Sequence, residues 1–127
     1  MLKLVLIAVG GGVGAVLRYA VAGWMQRLGG GVFPIGTLVV NVTGCLCIGV
    51  LGAAFAGPHL IRDEYRLAVT IGVLGSFTTF STFGAETFAL AADGQLRLAV
   101  LNVLLSNGMG LSAAWFGYRA GERWFGV

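Results

Sequence analysis

Residues 70–83 read T-I-G-V-L-G-S-F-T-T-F-S-T-F, an unusual composition for the middle of an apolar segment. This stretch places glycines, small hydroxyl side chains and three phenylalanines inside an apolar segment that runs over residues 67–92. Backbone that leaves the helical conformation at membrane depth is tolerated only where protein buries it or where it lines a cavity. We therefore expect a helix break between Gly75 and Thr79, with carbonyls available to coordinate a cation. The alternative is a straight helix whose hydroxyls bond to the preceding turn.

Three more apolar segments accompany this one, and they cover residues 2–28, 33–56 and 96–118. Hydrophobic residues make up 57% of the chain and charged residues 10%, a composition that indicates a bilayer as the solvent. Each segment has the length of about 20 residues or more that crosses the hydrocarbon core. The connections contain Gly29-Gly30-Gly31 with Pro34, Gly57-Pro58 and Asp93-Gly94. The four segments and their short turns predict an all-α membrane protein with one four-helix transmembrane domain over residues 1–127. The stretch from Gly75 to Thr79 adds the expectation that the third helix is broken near its middle.

Polar side chains inside the apolar segments mark a candidate pathway, because they are costly in lipid and face the interior of a helix bundle. Asn41 in the second segment is either an anion-binding amide or a lock between two helices. Phe80 and Phe83 share a helix face, where their positive ring edges can meet an anion, although a packing pair is the common explanation. In the fourth segment Asn102 and Ser106 lie one helical turn apart. Two polar stripes on different helices predict a lined conduit.

The chain resembles the CrcB/Fluc family of fluoride channels over essentially its whole length. The resemblance lies in residues 11–19 (GGVGAVLRY), 36–44 (GTLVVNVTG) and, most specifically, 72–86 (GVLGSFTTFSTFGAE). It implies an antiparallel, dual-topology homodimer in the bacterial cytoplasmic membrane. It further implies two separate pores through which fluoride leaves passively, which lowers cytoplasmic fluoride, and a structural sodium ion at the dimer axis.

The resemblance also implies roles for individual residues. The backbone carbonyls of Gly75 and Thr78 would hold the sodium ion. The fluoride pathway would contain an amide, two ring edges, three hydroxyls and a vestibule arginine, which are Asn41, Phe80, Phe83, Ser81, Thr82, Ser106 and Arg18. Asn102 is a further pathway candidate, at a position where some relatives carry tyrosine. Glu86 matches the family but is also explained as an acid that bonds one helix to another.

The eight basic residues are scattered and flank the apolar segments, so they indicate headgroup anchors rather than a nucleic-acid surface. If the helices alternate in direction, five basic residues lie toward one membrane face and three toward the other. The two groups are Lys3, Arg62, Arg66, Arg119 and Arg123 against Arg18, Arg27 and Arg97. Because the asymmetry of Lys and Arg sets orientation, this small excess predicts insertion in both orientations.

Two other functions fit a small four-helix membrane protein. A dual-topology multidrug or cation transporter is expected to carry an essential carboxylate in its first helix, and residues 2–28 contain no Asp or Glu. A non-transporting assembly subunit would use every polar residue to join helices. An enzyme is disfavoured, because His59 is the only histidine and stands beside Pro58 in a connection, without a carboxylate and a nucleophile in a catalytic pattern.

Overall fold

The computed structural model describes residues 1–57 and 61–126, and over these residues the chain forms four helical spans. Each span is long and apolar enough to cross a membrane, which confirms the prediction from the sequence. The spans are α1 (Leu2–Gly29), α2 (Ile35–Ala56), the segmented third span (Asp63–Ala92) and α6 (Leu96–Phe125). The predicted turn at Gly57-Pro58 and the loop position of His59 involve residues 58–60, which lie outside the described residues.

The third span is broken, as the sequence predicts. It consists of α3 (Asp63–Leu67), a π-helical segment (Ala68–Leu74), α4 (Gly75–Phe77) and α5 (Phe80–Ala92). Gly75 keeps helical backbone angles, whereas Thr78 (φ −83°, ψ 159°) and Thr79 (φ −153°, ψ 114°) are extended. Two successive β-branched residues therefore leave the helix, and such residues favour extended backbone.

Both of the last two spans are longer than their apolar segments. The third span begins at Asp63 rather than at residue 67, and its first turn carries acidic residues that favour the positive end of the helix dipole. The fourth span, α6, continues beyond residue 118 to Phe125. Arg119 and Glu122 form an ion pair of 2.7 Å on these added turns. Hydropathy alone does not predict these terminal helical turns, because their residues are charged.

Glycines bring the backbones of α2 and α6 into direct contact. A methyl group at Gly49 would collide with the carbonyl oxygen of Ala114, and one at Gly117 would collide with the carbonyl oxygen of Leu46. Helices in lipid associate through such close packing, because apolar surface gains little from leaving lipid. The α2–α6 pair is accordingly the most extensive contact between helices in the described part of the chain.

The break divides the third span between two packing partners. Its π-helical segment and α4 pack along α1, where a methyl group at Gly10 would lie 2.6 Å from the carbonyl oxygen of Ala68. After the break, α5 packs mainly against α6. The extended residues Thr78 and Thr79 therefore lie where the span changes partner.

The side chain of Gln26 closes the connection between α1 and α2. Its Nε2 donates to the carbonyl oxygens of Gly31 (2.9 Å) and Phe33 (3.0 Å), and its Oε1 accepts from the Gly36 N–H (3.2 Å). One side chain thus satisfies two carbonyl oxygens of the connection and one N–H of the first turn of α2. None of these three backbone groups takes part in the hydrogen-bond ladder of a helix.

Candidate functional site

Asn41 of α2 pairs with the extended backbone of the break. Its Nδ2 donates to the carbonyl oxygen of Thr79 (3.0 Å), and its Oδ1 accepts from the Thr79 N–H (2.8 Å). The side-chain amide therefore satisfies both backbone groups of a buried residue that has left the helix. These bonds are the helix lock that the sequence left as one of two possibilities. The amide keeps a second N–H hydrogen that can donate elsewhere.

Two backbone amides near the break donate outside the regular helix pattern. In a continuous helix the Thr79 N–H would bond to the Gly75 carbonyl, four residues back. The Thr82 N–H would likewise bond to the Thr78 carbonyl. Instead, the Thr79 N–H donates to Asn41, and the Thr82 N–H donates to the Oγ1 of Thr79 at 3.2 Å. The carbonyls of Gly75 and Thr78 thus lose their usual donors at the break. These are the two carbonyls that the resemblance assigns to sodium.

A cavity of about 370 Å³, here called the central cavity, lies beside the break with walls from α2, the third span and α6. Six of the predicted site residues line it, namely Asn41, Gly75, Thr78, Phe80, Phe83 and Ser106. The residues that line the central cavity in the described part of the chain carry no charged side chain. The fold therefore brings together amide, hydroxyl and aromatic groups that are far apart in the sequence.

The two phenylalanines of the central cavity differ in their surroundings. Their ring centroids are 5.4 Å apart and their planes are tilted by 47°. The Phe83 residue is 8% exposed, whereas Phe80 is 81% exposed on the surface of the single chain. Phe83 is therefore part of the packing within the chain, while Phe80 presents its ring outward.

Further cavities adjoin the central one in sequence. A cavity of about 230 Å³ shares Thr79 with it and is lined also by Arg18, Thr37 and Thr82. A third cavity, of about 240 Å³, shares Thr37 with the second and reaches Asp93 beyond the C-terminal end of α5. These cavities extend from the break toward the membrane face at which α1 ends.

On its other side the central cavity adjoins a fourth cavity of about 380 Å³, with which it shares Thr70. Lys3, Asp63 and Arg66 line that cavity, near the membrane face at which α1 begins. The guanidinium of Arg66 lies 4.8 Å from the ring centroid of Phe55. Charged side chains therefore occur at both ends of the series, with the uncharged central cavity between them.

Thr37 and Glu86 join α2 to α5 beside the second and third cavities. The buried Thr37 donates from Oγ1 to the Oε1 of Glu86 at 2.8 Å. The second carboxyl oxygen, Oε2, is buried without a hydrogen-bond partner in the described part of the chain. This bond agrees with the helix-bonding explanation of Glu86. The predicted site omits Thr37, although it precedes Asn41 by one turn on the same face of α2, and that spacing was the available signal.

Hydroxyl groups cluster at the first turn of α5. Thr79 is the N-cap of this helix, and its Oγ1 donates to the Oγ1 of Thr82 (2.9 Å) and lies 3.3 Å from the Oγ of Ser81. Ser81 and Thr82 are both exposed on the single chain. Thr79 is a second residue that the predicted site omits, because its role depends on a bend that no spacing rule specifies.

Asn102 lies behind the wall of the central cavity and not in its lining. It is 1% exposed, its Nδ2 donates to the Oγ1 of Thr87 (2.9 Å), and its Oδ1 accepts from the Oγ of Ser106 (3.3 Å). The residue therefore touches the candidate pathway only through its neighbours.

Known proteins match this chain over most of its length. Residues 5–118 match the family model described as CrcB-like protein, Camphor Resistance (CrcB). The fluoride-specific ion channel FluC of Geobacter sulfurreducens is 47% identical over 123 residues, which cover 97% of this chain and 99% of that protein. FluC of Geobacter metallireducens is 45% identical over 117 residues, 92% of this chain and 94% of that protein. FluC of Solibacter usitatus is 41% identical over 116 residues, 91% of this chain and 95% of that protein.

Proposed function

Because the chain belongs to the CrcB-like family, a family of ion channels and not of enzymes, we propose that it is a fluoride-specific channel. It lets fluoride leave the cytoplasm passively across the cytoplasmic membrane and so lowers the internal concentration. The observation that carries this proposal is the central cavity, where Asn41, Phe80, Phe83 and Ser106 meet without a charged side chain.

Fluoride is small and strongly hydrated, so a channel must replace its water without holding the ion tightly. Neutral donors meet this requirement, since each contributes a weak contact that the ion exchanges for the next. The central cavity offers an amide N–H, a serine hydroxyl and aromatic ring edges, whose hydrogens carry positive partial charge. A lysine or arginine at this depth would bind the anion too strongly for release.

The proposed route follows the cavities that share threonines. From the central cavity it passes Thr79 into the cavity of Arg18 and Thr82, and then Thr37 into the cavity that reaches Asp93. Ser81 lies beside the first of these junctions, at 3.3 Å from the Oγ1 of Thr79. In this proposal Arg18 attracts the anion toward the route, and the threonine hydroxyls along it donate hydrogen bonds to the anion in turn.

The working unit in this proposal is an antiparallel homodimer. Phe80 is 81% exposed, and the neighbouring Ser81 and Thr82 are also exposed in the single chain. Hydroxyl groups that face lipid have no water to bond, so polar residues inside a span normally face protein or a cavity. A second, inverted copy against α5 would cover these residues and complete the walls of two pores.

We predict that both orientations of the chain occur in one membrane. Alternation of the four spans puts five basic residues toward one face and three toward the other, too small a difference to impose one orientation. A tag at the C-terminus should therefore be accessible, in similar amounts, on the outer surface of right-side-out vesicles and on the outer surface of inverted vesicles. A tag found on one face in every molecule would contradict the prediction, and a single-span protein of known orientation is the control.

A sodium ion is held in this proposal by the carbonyls of Gly75 and Thr78 from both subunits. The residues fit such an ion, because a hard cation binds backbone oxygen and unwound helices at membrane depth supply it. The Thr79 N–H and the Thr82 N–H, which would bond these two carbonyls in a continuous helix, donate to Asn41 and to the Thr79 hydroxyl instead. The ion would supply fixed positive charge and join the subunits; it takes no part in the route described above.

We predict that sodium stabilises the dimer. Because an ion that binds only the folded dimer raises its stability by mass action, the thermal midpoint should be higher in sodium chloride than in N-methylglucamine chloride at equal ionic strength. Size-exclusion chromatography of heated detergent samples gives the midpoint without reference to fluoride flux. Identical midpoints in the two salts, over a hundredfold range of concentration, would exclude the sodium site.

The proposed function is tested with purified protein in liposomes loaded with potassium fluoride. A potassium ionophore lets potassium leave with the fluoride, so that no membrane potential opposes the efflux, and an electrode measures the fluoride released. We expect fluoride to leave rapidly while matched liposomes loaded with chloride keep their anion, with protein-free liposomes as the control. Equal release of both anions, or no release of fluoride, would refute the proposal; proton-driven uptake of an organic cation would then support the transporter instead.

A further inference from the structure

Thr87 and Asn102 connect two walls of the central cavity from behind. Ser106 on α6 donates from Oγ to the Oδ1 of Asn102 at 3.3 Å. Asn102 donates from Nδ2 to the Oγ1 of Thr87 at 2.9 Å, and Thr87 donates from the same Oγ1 to the carbonyl oxygen of Phe83 at 2.7 Å. Both end residues, Ser106 and Phe83, line the cavity. The bonds form one continuous chain between α6 and α5.

The direction of this chain follows from its last acceptor. The Phe83 carbonyl can only accept, so Thr87 donates its single hydroxyl proton there, and its oxygen accepts from the Asn102 amide. The nitrogen of Asn102 thus faces Thr87, and its oxygen faces Ser106. Because Asn102 is 1% exposed, a buried amide held on both sides has little freedom to reverse.

The bond from Ser106 is the weakest of the three. Its 3.3 Å length exceeds the range of about 2.5–3.0 Å that is usual between two oxygens. An anion in the central cavity can therefore replace Asn102 as the acceptor of this proton. The competition keeps the serine a weak donor, and weak donors let an ion leave again.

We propose that Thr87 and Asn102 are positioning residues for conduction. They hold the Ser106 side chain at the cavity wall and compete with fluoride for its proton, and neither touches the ion. This inference rests on the proposed function and goes beyond it. It gives Asn102 an indirect role in place of the pathway contact predicted from the polar stripe of the fourth segment, and it assigns a role to Thr87, which no motif in the sequence marked.

A double-mutant cycle between Asn102 and Ser106 tests the inference. Without the Asn102 side chain, the Ser106 hydroxyl turns to the carbonyl of its own helix four residues back and is lost to the pathway. Asn102→Leu and Ser106→Ala should each lower fluoride flux about fivefold, the effect of one hydrogen bond. The double variant should be no slower than either single variant, because both remove the same donor.

Thr87 provides the independent arm of the experiment. Thr87→Val keeps the shape and loses the hydroxyl, so it should lower flux about fivefold as well. Thr87→Ser retains the hydroxyl and should restore most of the flux. Ser112→Ala, which removes an exposed hydroxyl from α6 outside the chain of bonds, is the matched control. Each flux is divided by the amount of dimer that elutes as a single species.

The outcomes separate this inference from the proposed function. A parent protein that carries no fluoride would remove the proposed function, whereas a conducting parent with unchanged Asn102→Leu and Thr87→Val variants would remove only the inference. Losses that multiply in the double variant would also overturn it, since they show that Asn102 and Ser106 act independently of each other. If a single variant fails to fold, the pair Thr87→Val with Asn102→Leu removes both side chains of their shared bond, so that neither is left unpaired against the other; parental flux in the folded pair would overturn the inference, and reduced flux would support it.

Discussion

Replacement of Asn41 by leucine is expected to lower fluoride flux on the order of 100-fold and to destabilise the folded protein by about 2–5 kcal/mol. Leucine keeps the approximate size of the side chain but removes both bonds to Thr79. The Thr79 N–H then either stays buried and unpaired or returns to the Gly75 carbonyl, as in a continuous helix. The first outcome destabilises the fold, and the second removes the extended backbone beside the central cavity.

Asn41→Asp separates the two bonds that leucine removes together. Aspartate still accepts from the Thr79 N–H, but it cannot donate to the Thr79 carbonyl and places a carboxylate beside it. We expect this variant to fold better than Asn41→Leu and still to conduct poorly. Thr43→Val, at an exposed position on the same helix, controls for loss of a polar group from α2. A folded Asn41→Leu protein with flux within twofold of the parent would contradict this account of the break.

The four spans were predictable because their cause is local. An apolar run long enough to cross a bilayer, followed by glycine with proline or a charged residue, specifies a helix and its end with little help from the rest of the chain. The extra turn at Asp63 and the long end of α6 were not predictable from hydropathy, because polar interactions extend helices into water. The 2.7 Å pair of Arg119 and Glu122 is one such interaction.

The break illustrates where sequence reasoning stops. Glycine at position 75 suggested that the backbone would unwind there, yet Gly75 is helical and the extended residues are Thr78 and Thr79. The extended backbone depends on Asn41, which lies on another helix and supplies the hydrogen bonds that Thr79 loses. A single sequence shows that an asparagine and a hydroxyl-rich stretch are present but does not show that they bond.

The candidate site likewise contains features that the sequence predicts and features that depend on tertiary packing. The resemblance assigns Asn41, Phe80, Phe83 and Ser106 to one pathway, and all four line the central cavity. It could not separate a residue in the cavity lining from one behind it, because both lie on the polar stripe of a helix. The position of Asn102, 1% exposed, follows from how α5 packs on α6, which is a property of the tertiary structure.

Replacement of Phe80 by isoleucine is expected to lower fluoride flux about tenfold without unfolding the protein. Isoleucine retains an apolar side chain but has no ring, so it lacks the positive ring edge that the proposed route offers to the anion. Because Phe80 is 81% exposed in the single chain, its removal costs little packing within the subunit. Flux and the thermal midpoint of the dimer are measured on the same preparation, and Phe88→Ile, at another exposed phenylalanine of α5, is the control.

Phe83→Ile distinguishes ring chemistry from packing, because Phe83 is 8% exposed and lies 5.4 Å from Phe80, centroid to centroid. This variant should lose flux to a similar degree and also lose about 1–2 kcal/mol of stability, since a buried ring of different shape is replaced. If bulk alone mattered, flux would follow stability, and Phe80→Ile would conduct like the parent while Phe83→Ile would not. If ring edges matter, both variants conduct poorly although only one is destabilised. Parental flux in both variants, with the dimer intact, would exclude any role of the rings in conduction.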